Sequence, residues 1–192
     1  MNRVILTVAA AALPLPALAA EAFVGVLAHD VDVQVAVGHY EEGEQVEIGL
    51  RSEPIAALAA VGAPRAYVFG SASTAGETSY AAAGLAWRWG SGGWYFQPGI
   101  GLAVHDGTAD LPSPWDPGLT PAERTERQRR WREELNFGAR VTFAPEISIG
   151  RRLGERWSAE LTWVHLSHAM LAGDQNPGLD DIGVRIVRKL GR

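Results

Sequence analysis

The chain has 192 residues, with 17 Lys and Arg against 22 Asp and Glu, a formal net charge of −5 and no cysteine. An acidic balance gives no support to nucleic-acid binding, and without thiols neither disulfides nor a zinc-thiolate site can hold the fold together. The length suits one domain.

From the N-terminus, residues 1–20 read as a secretory leader: Arg3 supplies a positive start, 4–13 an apolar stretch, and Ala17-Leu18-Ala19 a small-x-small cleavage pattern. A single mature domain over 21–192 is then expected, one unit more acidic for the loss of Arg3. Beyond the leader the longest apolar run, 55–63, has about half of the ~18 residues that a membrane helix needs. Any bilayer crossing must therefore be made by strands. Eight segments rich in Val, Ile, Trp, Tyr and Phe, with period-two alternation, predict strands near 22–28, 44–52, 64–71, 78–89, 94–105, 136–149, 157–169 and 180–190.

The connections alternate in length. The fourth (90–93) and sixth (154–156) are tight, and the fifth (106–135) is the longest in the chain; the second (53–63) is longer and apolar, and fits the alternation least. Long outer loops alternating with short inner turns are the mark of an antiparallel outer-membrane barrel with both termini in the periplasm. Within the fifth connection, Thr120-Pro121-Ala122-Glu123 forms a capping box with proline at the first helical position, predicting a helix over 121–134. It carries Arg124, Arg127, Arg129, Arg130 and Arg132 among glutamates, with Trp131. Such a helix is either a solvated charged element or one whose arginines meet the phosphates of an anionic lipid headgroup.

Val46, Ile48 and Leu50 alternate with Gln45, Glu47 and Arg51, and Phe137, Ala139, Val141 and Phe143 alternate with Gly138, Arg140 and Thr142. In a soluble lipocalin-like barrel the apolar set would line a ligand cavity, whereas in an outer-membrane barrel it faces lipid and the polar set fills the lumen. Trp87, Trp89, Trp94 and Trp157 all fall near inner turns, as an interfacial aromatic girdle requires. With the leader and the loop parity, this favours an all-β, eight-stranded antiparallel transmembrane β-barrel of the bacterial outer membrane.

The stretch that could carry chemistry is WVHLSHAMLAGDQNPGLDDIG, residues 163–183. Positions i and i+2 of a strand share a face, so His165 and Ser167 project to the side that also holds Leu161 and Trp163. On the following strand Asp180 has the parity of Ile182, Val184 and Ile186, while Asp181 goes with Gly183 and Arg185. Imidazole, hydroxyl and carboxylate are thus expected together on the outward surface near the outer end of the last hairpin. A serine becomes a useful nucleophile when an imidazole takes its proton, and a carboxylate fixes that imidazole's tautomer. The plain alternative is a pair of polar residues at a barrel rim.

The segment HLSHAMLAGDQNPGLD resembles the signature of the lipid A 3-O-deacylase (PagL) family, which has a His-x-Ser-Asn-Ala segment on its penultimate strand, then a loop with Asn and Gly, then an acidic residue. FVGVLAHDVD and YVFGSASTAGETSYAAAGLAW are similar to the same wider group. The resemblance implies an eight-stranded outer-membrane esterase that removes the 3-O acyl chain of lipid A, with lipopolysaccharide of the outer leaflet as its partner and no cofactor or metal. It implies His165 as base, Ser167 as nucleophile and Asp180 as orienting acid. Asn176 matches the family's loop Asn and is a candidate oxyanion donor, with backbone N–H groups near His168 and Ala169 beside it; a turn-forming Asn before Pro-Gly is the plain reading. His168 stands where the family has Asn, Asp180 where Glu is more common, and the last residues, Lys189 to Arg192, lack the terminal aromatic of outer-membrane assembly signals. The pairs His29-Asp30 and His105-Asp106 invite a metal reading, but their spacing supplies no further ligands and none is assigned. A structural or adhesion barrel whose functional surface is the fifth loop, and a soluble periplasmic ligand-binding barrel, are the rival expectations.

Overall fold

Period-two alternation becomes two faces of one closed sheet. The computed structural model describes residues 19–33, 39–171 and 177–191. Its strands are β1 (Ala19–Ala28), β2 (Glu44–Ser52), β3 (Arg65–Ser73), β4 (Tyr80–Ala86), β5 (Trp89–Ser91), β6 (Trp94–His105), β7 (Val141–Phe143), β8 (Glu146–Arg152), β9 (Trp157–Leu166) and β10 (Leu179–Lys189), and helix α1 spans Pro121–Glu133. All ladders among these strands are antiparallel, in the order β4-β3-β2-β1-β10-β9-β8-β6, and β4 pairs with β6 to close the circle. Since β5 continues β4 and β8 continues β7, the wall has eight staves. The ring of pairings closes on itself, and among the described strands only the short end segments β5 and β7 have a single ladder partner; such closure is what a strand-built membrane span requires.

The apolar face points outward: Val24, Val26, Val46, Ile48, Ile100, Leu102, Leu161, Val184 and Ile186 are 42–68% exposed. Gln45, Glu47, Arg51, Gln97, Glu146, Ser148, Glu160, Thr162, Asp181 and Arg185 are buried inside. A soluble barrel around a greasy cavity would have the reverse arrangement, so that rival fails on orientation. Both terminal nitrogens of Arg51 donate to Glu160 at 2.8 Å, Arg88 forks onto Glu21 at 2.6 and 2.8 Å, and Arg185 bridges Glu47 (2.7 Å) and Glu146 (2.9 Å). Charges taken out of water persist only when paired in this way. The ring of Phe23 lies between the Arg51 and Arg185 guanidiniums, 4.5 and 4.7 Å from its centroid.

The short turns obey local chemistry. Gly92 and Gly93 both take positive φ (59° and 87°), the two-residue geometry that matches hairpin twist and that glycine adopts without strain. The second connection is a 3-10 helix, Ala56–Val61, and Trp87 donates its indole N–H to the carbonyl of Val61. The capping box at Thr120 and Glu123 forms as expected.

Several expected boundaries shift. The stave expected over 136–149 begins at Val141 and is interrupted at Ala144-Pro145, because proline cannot donate to a ladder. Phe137, expected on the apolar face, is instead buried, its ring 4.0 Å from that of His105 under the outer loop. The stave expected over 157–169 ends as a strand at Leu166; Ser167 forms a single bridge with Phe143, and Ala169 and Met170 turn to positive φ. Of the expected leader, only Ala19 and Ala20, which open β1, belong to the described residues.

Candidate active site

Register brings the acid and the base together. In the β9–β10 ladder Asp180 lies directly opposite His165, and Trp163 opposite Ile182. Side chains facing each other across a ladder stand about 5 Å apart at Cβ. His165 Nδ1 meets Asp180 Oδ1 at 3.0 Å. A carboxylate accepts, so Nδ1 carries the proton and Nε2 is the basic nitrogen. Asp180 is fully buried and His165 7% exposed, although both have outward parity. The pair lies on the side of the ladder that carries the apolar residues, but it is covered.

Part of the cover is the returning loop. Gly178, at φ 77°, packs on the imidazole so closely that a Cβ there would stand 2.7 Å from Cε1 of His165. The other part is Trp163, whose ring stacks on the imidazole at 22° and 5.9 Å between centroids, and whose indole N–H donates to Asp180 Oδ1 at 2.6 Å. Sequence reading placed Trp163 among the apolar outward residues and missed this contact. A signal existed, since a tryptophan two positions before the histidine shares its face and a buried indole N–H needs an acceptor.

Ser167 is half-buried and follows His165 by two residues. Its backbone is held by Phe143, whose N–H donates to the Ser167 carbonyl (2.7 Å) and whose carbonyl accepts from the Ser167 N–H (3.2 Å), while the His165 N–H donates to Pro145 O at 3.0 Å. The interrupted stave thus clamps the strand end that carries both residues. Immediately beyond, Ala169 (φ 51°) and Met170 (φ 61°) occupy the left-handed region, and the Leu171 N–H donates to His168 O. Non-glycine residues there cost of order 1 kcal/mol or more each, and such strain concentrates at functional sites. His168 is buried. Asn176 lies outside the described residues.

The other pairs singled out from sequence go elsewhere. His29 sits at the outer end of the lumen, Nδ1 to Asp181 and Nε2 to Glu41, both at 2.8 Å, and Tyr80 donates to the same Asp181 at 2.7 Å. Asp30 accepts from the Tyr40 and Glu41 N–H groups. His105 Nε2 meets the Ala139 carbonyl, and Asp106 caps the Ser79 N–H. The helix arginines turn largely on their own neighbours: Arg129 pairs with Glu126 and Glu133, Arg130 with Glu134, and Arg127 with Asp116.

A family model described as lipid A 3-O-deacylase (PagL) matches residues 56–188, more than half of the chain. The chain belongs to the PagL family. Among solved structures it is similar to one titled the crystal structure of the outer membrane enzyme PagL, at 15% identity and a TM-score of 0.58, covering 89% of this chain and all of that one. At that identity the likeness concerns the fold, the closed eight-stranded barrel. No curated protein matches the chain. As a PagL-family barrel it is an outer-membrane protein of a lipid A-deacylating family, and the short-turn end of the wall is its periplasmic end.

Proposed function

We propose that this PagL-family barrel is a serine esterase that hydrolyses the 3-O-linked acyl chain of lipid A, with Ser167 as nucleophile, His165 as general base and Asp180 as the acid that orients it. The observation carrying this reading is the His165–Asp180 hydrogen bond, 3.0 Å long and sheltered from water on the lipid-facing side of the last hairpin. The bond runs through Nδ1, so Nε2 receives the proton of Ser167 as its Oγ attacks the ester carbonyl. Collapse of the tetrahedral intermediate breaks the acyl C–O bond. The sugar oxygen leaves with the proton from His165, and the acyl group stays on Ser167. Water, deprotonated by the same imidazole, then releases the fatty acid and restores the hydroxyl.

Oxyanion stabilisation falls to the segment after the nucleophile, where the left-handed backbone at Ala169 and Met170 redirects the N–H groups near His168 and Ala169; Asn176 is the proposed side-chain donor. The substrate's acyl chains already lie beside the outward face of β9 and β10, so the ester needs to travel no distance through the lumen. Ser167→Ala should lower kcat by at least about 10⁴-fold while the barrel still folds. The test is mass spectrometry of lipid A from cells expressing wild type or Ser167→Ala: loss of one hydroxyacyl chain only with wild type supports the assignment. Equal loss with both would refute it.

A further inference from the structure

The periplasmic rim carries a feature that hydrolysis at the outer end does not use. On β8 the outward positions run Ile147, Ile149, Arg151, and on β10 they run Ile182, Val184, Ile186, Arg188. Each arginine occupies the first outward position beyond the apolar run. Each also has a tryptophan as its ladder partner, Trp94 on β6 for Arg151 and Trp157 on β9 for Arg188. The guanidiniums lie over those rings, at 5.1 and 5.5 Å from the centroids. Trp94 and Trp157 are about half exposed and mark the interfacial depth at which indoles settle.

Their electrostatic situation differs from that of the lumen. Arg51, Arg88 and Arg185 are engaged by carboxylates, whereas among the described residues neither Arg151 nor Arg188 belongs to an ion pair. Arg151 gives one N–H to the Gly92 carbonyl. A guanidinium stacked on an indole keeps its edge N–H groups free to fork onto a phosphate, which Lys cannot do. The arrangement is one-sided: on β1, β2 and β3 the outward positions near this end are Ala22, Ser52 and Ala66. The two arginines flank β9, two strand spacings apart across the sheet and two residues apart along it, opposite Ala159 and Trp157, which puts their backbones roughly 12 Å apart.

We propose that Arg151 and Arg188, held over Trp94 and Trp157, form a binding surface for the phosphate of anionic phospholipids in the periplasmic leaflet, on the β8–β10 side of the barrel. The occupant follows from charge and depth. A residue beyond the last lipid-facing isoleucine meets headgroups, and two unpaired cations favour a net-negative phosphodiester over a zwitterionic lipid. The site is separate from the substrate surface, which lies at the other end of the same strands.

The test is native mass spectrometry of the full detergent-solubilised barrel titrated with phosphatidylglycerol or phosphatidylcholine. Wild type should retain phosphatidylglycerol preferentially. Each Arg→Gln change should weaken that retention about 5-fold, and R151Q/R188Q together about 25-fold, while phosphatidylcholine binding and heat-modifiable migration on gels stay unchanged. R151K/R188K, which keeps charge but loses the stacked fork, should fall between. Equal retention of the two lipids by wild type, or undiminished phosphatidylglycerol binding by the double glutamine variant, would overturn the proposal. Inorganic phosphate that displaces the lipid at millimolar concentration would mark a free-anion site and overturn it as well.

Discussion

At the scale of single residues, the proposed site depends on which atoms Asp180 accepts from. Its Oδ1 takes both the imidazole Nδ1–H and the Trp163 indole N–H, so the tryptophan competes for no proton but holds the carboxylate in the plane the imidazole needs. Trp163→Phe keeps a ring against His165 and removes the N–H. The bond lost is to a charged group and is worth roughly 1.5–3 kcal/mol, only part of which the transition state feels. The expected outcome is a roughly 10-fold lower kcat at nearly unchanged KM, measured on lipid A in micelles; a change confined to KM would place Trp163 in substrate contact and not in positioning. His165 and Asp180 could be placed on one face from sequence because parity on two strands is a two-state question. Their contact, and the diagonal from Trp163 to Asp180, could not be read, since only the register fixes which residues meet.

At the scale of elements, α1 shows how local chemistry is legible without tertiary structure. Its capping box, its proline and its mixed charges are properties of consecutive residues, and the helix forms where they direct. The Thr120 hydroxyl and N–H hold the Glu123 carboxyl below its usual 4.5, Arg129 does the same for Glu126 and Arg130 for Glu134. Carboxyls with a depressed folded pKa stabilise fully above 4.5 and lose that contribution as pH falls through the lower folded values. Amide protection factors of residues 121–134, corrected for the intrinsic exchange rate at each pH, should therefore be constant from pH 8 to 5 and fall below about 4.5, with those of the strands unaffected. A uniform loss of protection across the whole barrel would show that α1 is not an independent unit. The proline break between β7 and β8 was less legible, because whether Pro145 ends a stave or interrupts it depends on what Gly101 and His165 offer across the ladder.

At the scale of the whole molecule, the outer end is stitched across the lumen. His29 follows β1, Glu41 precedes β2 and Asp181 belongs to β10, so one imidazole joins the two staves on either side of β1. Burial pulls its pKa down, but hydrogen bonds and charge from Asp181 and Glu41 prevail and raise it to about 9. A raised folded pKa contributes stability fully present below the ordinary 6.5 and lost as pH rises through about 9. Urea unfolding in detergent should then show a midpoint that falls between pH 6.5 and 9.5, and His29→Gln should flatten that slope. An identical slope in the variant would assign the pH dependence elsewhere. The Asp181 carboxylate that His29 holds is chain neighbour to Asp180, and the Val31 N–H donates to Asp180 O, so this stitch also fixes the backbone of the proposed acid.

The sequence by itself determined the closed eight-stave barrel, its inside and outside, and the parity that puts His165 and Asp180 on one face. These follow from period-two alternation and turn chemistry, which act over a few residues. Tertiary structure alone decided that Asp180 opposes His165, that Gly178 and Trp163 cover them, and that each rim arginine lies over a tryptophan. Those contacts depend on how far neighbouring strands slide past each other, and alternation repeats every two residues, so it leaves the choice among even shifts open.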